Sequence, residues 1–92
     1  MKLGPFLLLC CFAMPANAAC YADYKAKQDN PLRLHYGVAD LPQNACDPAK
    51  AAAYLTPRLQ AAGWTLLNIV SVFDDTGLDG RKDNAGDYFR RF

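Results

Sequence analysis

The first eighteen residues constrain the fold most, because their pattern is that of a segment removed before the chain folds. Lys2 gives a positive start, an apolar run follows over 3–14, and Ala16-Asn17-Ala18 supplies the small residues that signal peptidase recognises. The run is too short to span a membrane as a permanent helix, and no second run of that kind follows. We therefore expect a signal peptide over 1–18 and one small domain over 19–92, located in the periplasm or secreted.

Two of the four cysteines, Cys20 and Cys46, lie outside the predicted signal peptide. A domain of 74 residues buries a modest share of its surface, so a covalent cross-link would stabilise it substantially. An oxidising compartment favours one disulfide between the two cysteines. The alternative is a lipidated Cys20, but Asn17 stands where a lipoprotein signal requires an aliphatic residue. We expect the disulfide and no lipid anchor.

The charge balance excludes some classes of partner. Without the signal peptide the chain carries nine Lys and Arg residues against nine Asp residues, and it has no Glu. A domain with a net charge near zero and no basic stripe is not typical of nucleic-acid-binding proteins. It also lacks the basic cluster that binds an anionic membrane surface.

The N-terminal half of the domain predicts mixed secondary structure. Over 20–28, Tyr21 and Tyr24 have the spacing of a helix face, whereas Ala22, Tyr24 and Ala26 alternate as in a strand. We expect a short helix there, with the strand as the alternative. Apolar residues alternate with other residues over 32–41, which predicts a half-buried strand.

The next segment has the signals of an amphipathic helix. Asp47 and Pro48 are typical of an N-cap and a first helical residue, and Gly63 is typical of the position after a helix. An apolar stripe runs between them. Pro57 predicts a kink or a break into two short helices.

Three further segments complete the predicted fold. The apolar run 64–73 predicts a central strand, 74–86 a long polar loop, and 87–92 a final strand. The sequence therefore predicts an α+β fold of two layers in the order β-α-β-β, with one main helix on a three-stranded sheet. We expect the helix to pack on four sheet residues: Leu34, Tyr36, Leu67 and Ile69.

The aspartates of the polar loop are candidate calcium ligands. Asp75, Asp79 and Asp83 occupy the first, fifth and ninth places of a calcium-loop pattern. Gly77 and Gly86 stand where the pattern requires further ligands, including its bidentate Glu. We therefore expect no metal site and no cofactor, and we interpret the loop as a solvated turn.

Catalytic residues are sparse. His35 is the only histidine and Ser71 the only serine, and a Cys46–His35 dyad would require a reduced Cys46. We expect no enzymatic activity. We interpret His35 as a polar residue on the solvent face of its strand, and we take Arg33, His35 and Tyr36 as candidate ligand-binding residues.

Three stretches of the chain, CYADYKAK (20–27), PLRLHYGV (31–38) and GWTLLNIVSVF (63–73), carry a resemblance to known proteins. Through them the chain resembles a group of short secreted proteins of unknown function from alphaproteobacteria. The helix-Gly-Trp-strand core, with Phe89-Arg90-Arg91, is also similar to a compact bacterial β-α-β-β domain of unknown function. These resemblances imply a fold but no activity.

The segments 34–38 and AAAYLTPRLQAAG (51–63) resemble the first half of the sporulation-related repeat. That family binds peptidoglycan, so this resemblance implies a cell-wall glycan as a partner. The Asp-rich loop stands where the repeat has its second helix. The expected function is therefore a non-catalytic interaction module with an envelope protein as partner, and a glycan-binding module is the alternative.

Overall fold

The structure is a computed structural model that describes residues 19–92, so the predicted signal peptide lies outside the described residues. Strands β1 (Cys20–Gln28), β2 (Arg33–Leu41) and β3 (Thr65–Phe73) form an antiparallel sheet in the order β2-β1-β3. Helix α1 (Pro48–Ala61) and the shorter helix α2 (Asp79–Ala85) pack on this sheet. The predicted α+β class, with one main helix on a three-stranded sheet, is confirmed.

The prediction of a helix over 20–28 is wrong, because this segment is the central strand of the sheet. Its residues pair with β2 on one side and with β3 on the other. A helix would have left the backbone groups of both neighbouring strands without these partners. The alternation of Ala22, Tyr24 and Ala26 correctly indicates a strand with one buried face, since all three residues are fully buried.

The C-terminal third also differs from the prediction. The segment 74–86 contains a short 3-10 turn (Asp75–Gly77) and then α2, rather than only a loop. The segment 87–92 forms no full strand: a second 3-10 turn (Gly86–Tyr88) is followed by a single parallel bridge between Val38 and Phe89. The chain order is therefore ββαβα and not β-α-β-β.

Helix α1 begins and ends as its sequence predicts. The carboxylate of Asp47 accepts a hydrogen bond from the Lys50 amide at 2.9 Å, and Pro48 is the first helical residue. Gly63, with φ of 87°, follows the helix end in the left-handed region that glycine adopts readily. Pro57 lies inside one continuous helix, so the predicted break is absent.

The two faces of the sheet carry separate apolar clusters. Leu55 and Leu59 of α1 are fully buried against the face that presents Ala22, Tyr24 and Ala39. Neighbouring strand residues point to opposite faces, so Tyr21 belongs to the other cluster. The residues of that second cluster are Tyr21, Tyr36, Val38, Phe73, Leu78, Ala85 and Phe89.

The prediction that α1 packs on Leu34, Tyr36 and Leu67 is wrong, because Tyr36 belongs to the cluster on the other face and both leucine side chains are exposed. Leu34 is 67% exposed and Leu67 is 50% exposed. Alternation in a strand defines two faces but does not say which of them a helix covers. In β2 the covered face is the one that presents His35 and Ala39.

Strand β3 is an edge strand with two bulges, and not the predicted central strand. Its pairing with β1 skips two residues, Leu67 and Val70, at the two register shifts. The bulges let Leu66, Ile69 and Val72, which are spaced by three, all pack against the α1 cluster. The segment 64–73 is therefore rich in apolar residues although its two faces are not both buried.

The predicted disulfide between Cys20 and Cys46 is present, with the two Cα atoms 5.9 Å apart. Cys20 is the first residue of β1, and Cys46 directly precedes the N-cap of α1. The bond therefore fixes the start of α1 to the start of the central strand.

Candidate interaction surface

The sheet face opposite α1 is covered only at one end. Helix α2 and the C-terminal segment pack around Tyr21 and Val38. Towards the β1–β2 turn the same face is uncovered. We call this uncovered part the open face; its residues are Lys25, Lys27, Leu34, Tyr36, Thr65, Leu67 and Asn68.

The open face contains a shallow groove of about 290 Å³. Leu34 of β2 and Leu67 of β3 lie on either side of Lys25 in the central strand. Leu67 is the extra residue at one bulge of β3, and it is 50% exposed. The residues lining the groove are Lys25, Ala26, Leu34, His35, Tyr36 and Leu67; Ala26 and His35 direct their side chains to the α1 face and therefore line the groove with their backbone.

Lys25 is the unpaired cation of the open face. The second lysine, Lys27, has its ammonium 3.4 Å from the carboxylate of Asp29. Lys25 is exposed and forms no ion pair with any carboxylate of residues 19–92. The groove therefore combines apolar walls with one free positive charge.

A buried polar network centred on Asp23 borders the open face. The Asp23 carboxylate accepts hydrogen bonds from the Tyr36 hydroxyl at 2.8 Å and the Ser71 hydroxyl at 2.6 Å. It also accepts one at 3.0 Å from the Arg81 guanidinium, which lies over the Phe73 ring. Burial acts to raise the pKa of Asp23, but these hydrogen bonds and the Arg81 charge outweigh it and hold the pKa below 3.8.

The same network positions Tyr36 and joins α2 to the sheet. Burial, together with the hydrogen bond to Asp23, raises the pKa of Tyr36 to about 12, so its hydroxyl stays protonated and donates. Sequence reasoning missed both Asp23 and Arg81, which are 58 positions apart. The one available signal was an aspartate in the middle of an apolar alternation.

Replacing the buried carboxylate tests how much this network stabilises the fold. We expect Asp23→Asn to lower the free energy of unfolding by about 2 kcal/mol, because a neutral amide bonds the Arg81 guanidinium more weakly. Urea denaturation measures this change. Asp40→Asn is the matched control: its bond to Arg90 is exposed, so the change should stay below about 1 kcal/mol. Equal effects in the two variants would contradict the assignment.

His35 lies on the α1 face of the sheet and not on a solvent face, since it is only 8% exposed. Its Nε2 is 2.9 Å from the Tyr24 hydroxyl, and its ring stacks on Tyr88 with the centroids 3.8 Å apart. Trp64 meets the imidazole edge-on at 4.3 Å. Burial first, and then the charge of Arg91, lower the pKa of His35 to about 4.

Glycine is required opposite Tyr24. Gly37 pairs with Tyr24 across the sheet, and a Cβ at this position would lie 2.5 Å from the Tyr24 hydroxyl oxygen. The bare backbone therefore lets the tyrosine ring cross β2 and reach His35. Burial raises the pKa of Tyr24 well above its usual value, so the hydroxyl is protonated.

The three candidate ligand-binding residues do not share one surface. Arg33 and His35 leave β2 on one face, and Tyr36 leaves it on the other. Arg33 is exposed, His35 is buried within the aromatic cluster, and Tyr36 is half-buried with its hydroxyl bonded to Asp23. Of the three, Tyr36 belongs to the open face.

The candidate calcium ligands occupy two elements. Asp75 is in the 3-10 turn, while Asp79 and Asp83 lie one turn apart on α2. Over residues 19–92, no group of three or more His, Cys, Asp or Glu side chains is arranged to hold a metal ion. In the same range no helix is long and apolar enough to cross a membrane.

Comparison of the chain with known protein families, with curated proteins and with solved structures finds no match.

Proposed function

We propose that the protein is an exported, non-catalytic interaction module that binds a protein of the cell envelope through the open face. The observation that carries this proposal is the exposure of large apolar side chains around one groove. Leu34 and Leu67, on either side of Lys25, are 67% and 50% exposed, whereas Leu55 and Leu59 of α1 are fully buried. Contiguous apolar surface of this kind marks interaction sites in soluble domains.

The side chains that could act in catalysis are each engaged by another group, and this supports a non-catalytic function. The sulfur of Cys46 is bonded to Cys20, so it supplies no thiolate. The Nε2 atom of His35 is engaged by Tyr24, and the imidazole is enclosed by aromatic rings. The Ser71 hydroxyl donates to Asp23 and is on the other face of the sheet from His35.

A glycan-binding module is the second candidate function. Sugar-binding sites present aromatic rings together with free polar groups, and Tyr36 lines the groove. However, its hydroxyl is committed to Asp23, and His35 is buried. Only Arg33 of the three candidate residues is freely exposed, and it is on the opposite face from Tyr36. The groove therefore favours an apolar protein segment over a sugar.

Site-specific photocrosslinking in living cells tests the proposed function. We expect a benzophenone side chain at position 34 or 67 to form a discrete adduct with an envelope protein. Gln60 and Lys82 are exposed on α1 and α2, outside the open face, so the same group there should give no adduct. Adducts of equal yield at all four positions, or none at 34 and 67, would overturn the proposal. Co-sedimentation with purified sacculi, weakened by Tyr36→Ala, would instead support the glycan-binding function.

A further inference from the structure

Three features of the open face together indicate what kind of segment fits the groove. The walls are apolar, the one free charge is positive, and the neighbouring strand edge is bulged. From these we infer that the groove binds a segment of a partner protein in which a carboxylate lies beside a large apolar side chain. This inference rests on the proposed function and names the chemistry of the partner.

Most ionised groups around the groove are paired with a group of opposite charge. Asp23 is bonded to Arg81, and Asp29 lies within 3.4 Å of the Lys27 ammonium. Of the charged groups on the open face, only Lys25 has no partner of opposite charge among residues 19–92. A ligand carboxylate would therefore find one ammonium group free to pair, between the Leu34 and Leu67 side chains.

The same pairing argues against a second copy of this chain as the occupant. A two-fold contact places the same surface of both copies together. The open face would then bring two unpaired lysines into the interface and no unpaired carboxylate to receive them. Charged groups left without partners in an interface oppose association, so a partner of different sequence is favoured.

The bulges of β3 argue for side-chain docking rather than addition of a strand. A peptide that extends a sheet needs a regular ladder of free backbone groups along the edge. The extra residues Leu67 and Val70 interrupt this regularity at two points within nine residues. Bulges are one of the devices that protect sheet edges from pairing. The apolar side chains that the bulges expose then become the contact.

The size of the groove fits one or two side chains. Its volume of about 290 Å³ is just below the range for small-molecule sites. This volume is sufficient for the side chains of a leucine and an adjacent aspartate. The matching probes are three short synthetic peptides, acetyl-Gly-Leu-Asp-Leu-Gly-amide and the same peptide with Asn or Lys in the central position.

Nuclear magnetic resonance titration of the protein secreted from cells measures binding through the methyl signals of Leu34 and Leu67. We expect the Asp peptide to bind about two- to fivefold more tightly than the Asn peptide, as for a solvent-exposed ion pair. The Lys peptide should bind more weakly than both. Lys25→Gln should abolish the difference between the Asp and Asn peptides, and Lys25→Glu should reverse the preference towards the Lys peptide.

Lys82→Gln is the matched control, because this lysine is exposed on α2 outside the open face and should leave the Asp preference unchanged. Equal affinity for the Asp and Asn peptides, or an Asp preference that survives Lys25→Gln, overturns the inference. A groove that binds octanoate but none of the three peptides would also overturn the inference, because its ligand would then be a small amphiphile and not a protein segment. Photocrosslinked adducts at 34 and 67 without the Asp preference would leave the proposed function standing and remove only this inference.

Discussion

Reduction of the Cys20–Cys46 disulfide is expected to lower the free energy of unfolding by about 3.5 kcal/mol. The two cysteines are 26 positions apart, so the intact bond removes much conformational freedom from the unfolded chain. The enclosed loop contains β2 and most of β1, and the bond also fixes the start of α1. For a domain of this size, a loss of that magnitude is a large part of the total stability.

Urea denaturation of the protein with its disulfide intact, with and without a reductant, measures this effect. The Cys20→Ser/Cys46→Ser double variant should be destabilised by a similar amount. The reductant should then have no further effect on that variant, which serves as the control. A change below about 1 kcal/mol on reduction would contradict the prediction.

Intact mass in the same preparation tests the predicted cleavage, which would leave Ala19 as the first residue.

Acidification from pH 7 to pH 4 is expected to destabilise the fold by about 3 kcal/mol through His35 alone. Its pKa falls from 6.5 to about 4 on folding. Between these values the unfolded chain binds a proton that the folded chain does not, so the unfolded state gains stability as the pH falls. The His35 contribution is therefore complete above pH 6.5 and is lost as the pH falls towards 4. Asp23, whose pKa is lowered from 3.8, contributes mainly below pH 4.

His35 is the only histidine, so its proton resonance gives the pKa directly. Arg91→Gln should raise the pKa, because the positive charge of Arg91 helps to lower it. Arg33→Gln is the matched control: it removes an arginine from the same strand that does not contribute to the shift. In His35→Phe the free energy of unfolding should change much less between pH 7 and pH 4. An imidazole that titrates near 6.5 in the folded protein would contradict the prediction.

Local signals in the sequence were sufficient for helix α1 and for the disulfide. A capping aspartate, a proline at the first position and a terminating glycine act within a few residues, so α1 could be placed from sequence. The cysteine pairing followed from having two cysteines outside the predicted signal peptide. Both inferences depend on short-range geometry or on simple counting, and not on which elements lie next to each other.

The local sequence of segment 20–28 does not decide between a helix and a strand. Its residues fit a helix or a strand, and the choice depended on the two strands that pair with it from distant parts of the chain. Similarly, β3 has the composition of a central strand but lies at an edge. No local pattern reveals the position of a strand in its sheet, because that position depends on the topology of the whole domain.

The candidate site was predictable only in part. Tyr36 was identified from its place in the alternating strand, but Lys25 and the exposure of Leu34 and Leu67 were not.

By itself the sequence determined the α+β class, the limits of α1 and the covalent link between Cys20 and Cys46. Only the tertiary structure decided which sheet face α1 covers, where β3 bulges, and which lysine of the open face stays unpaired. Those outcomes depend on contacts between residues that are far apart in sequence, and periodicity within one segment carries no information about such contacts.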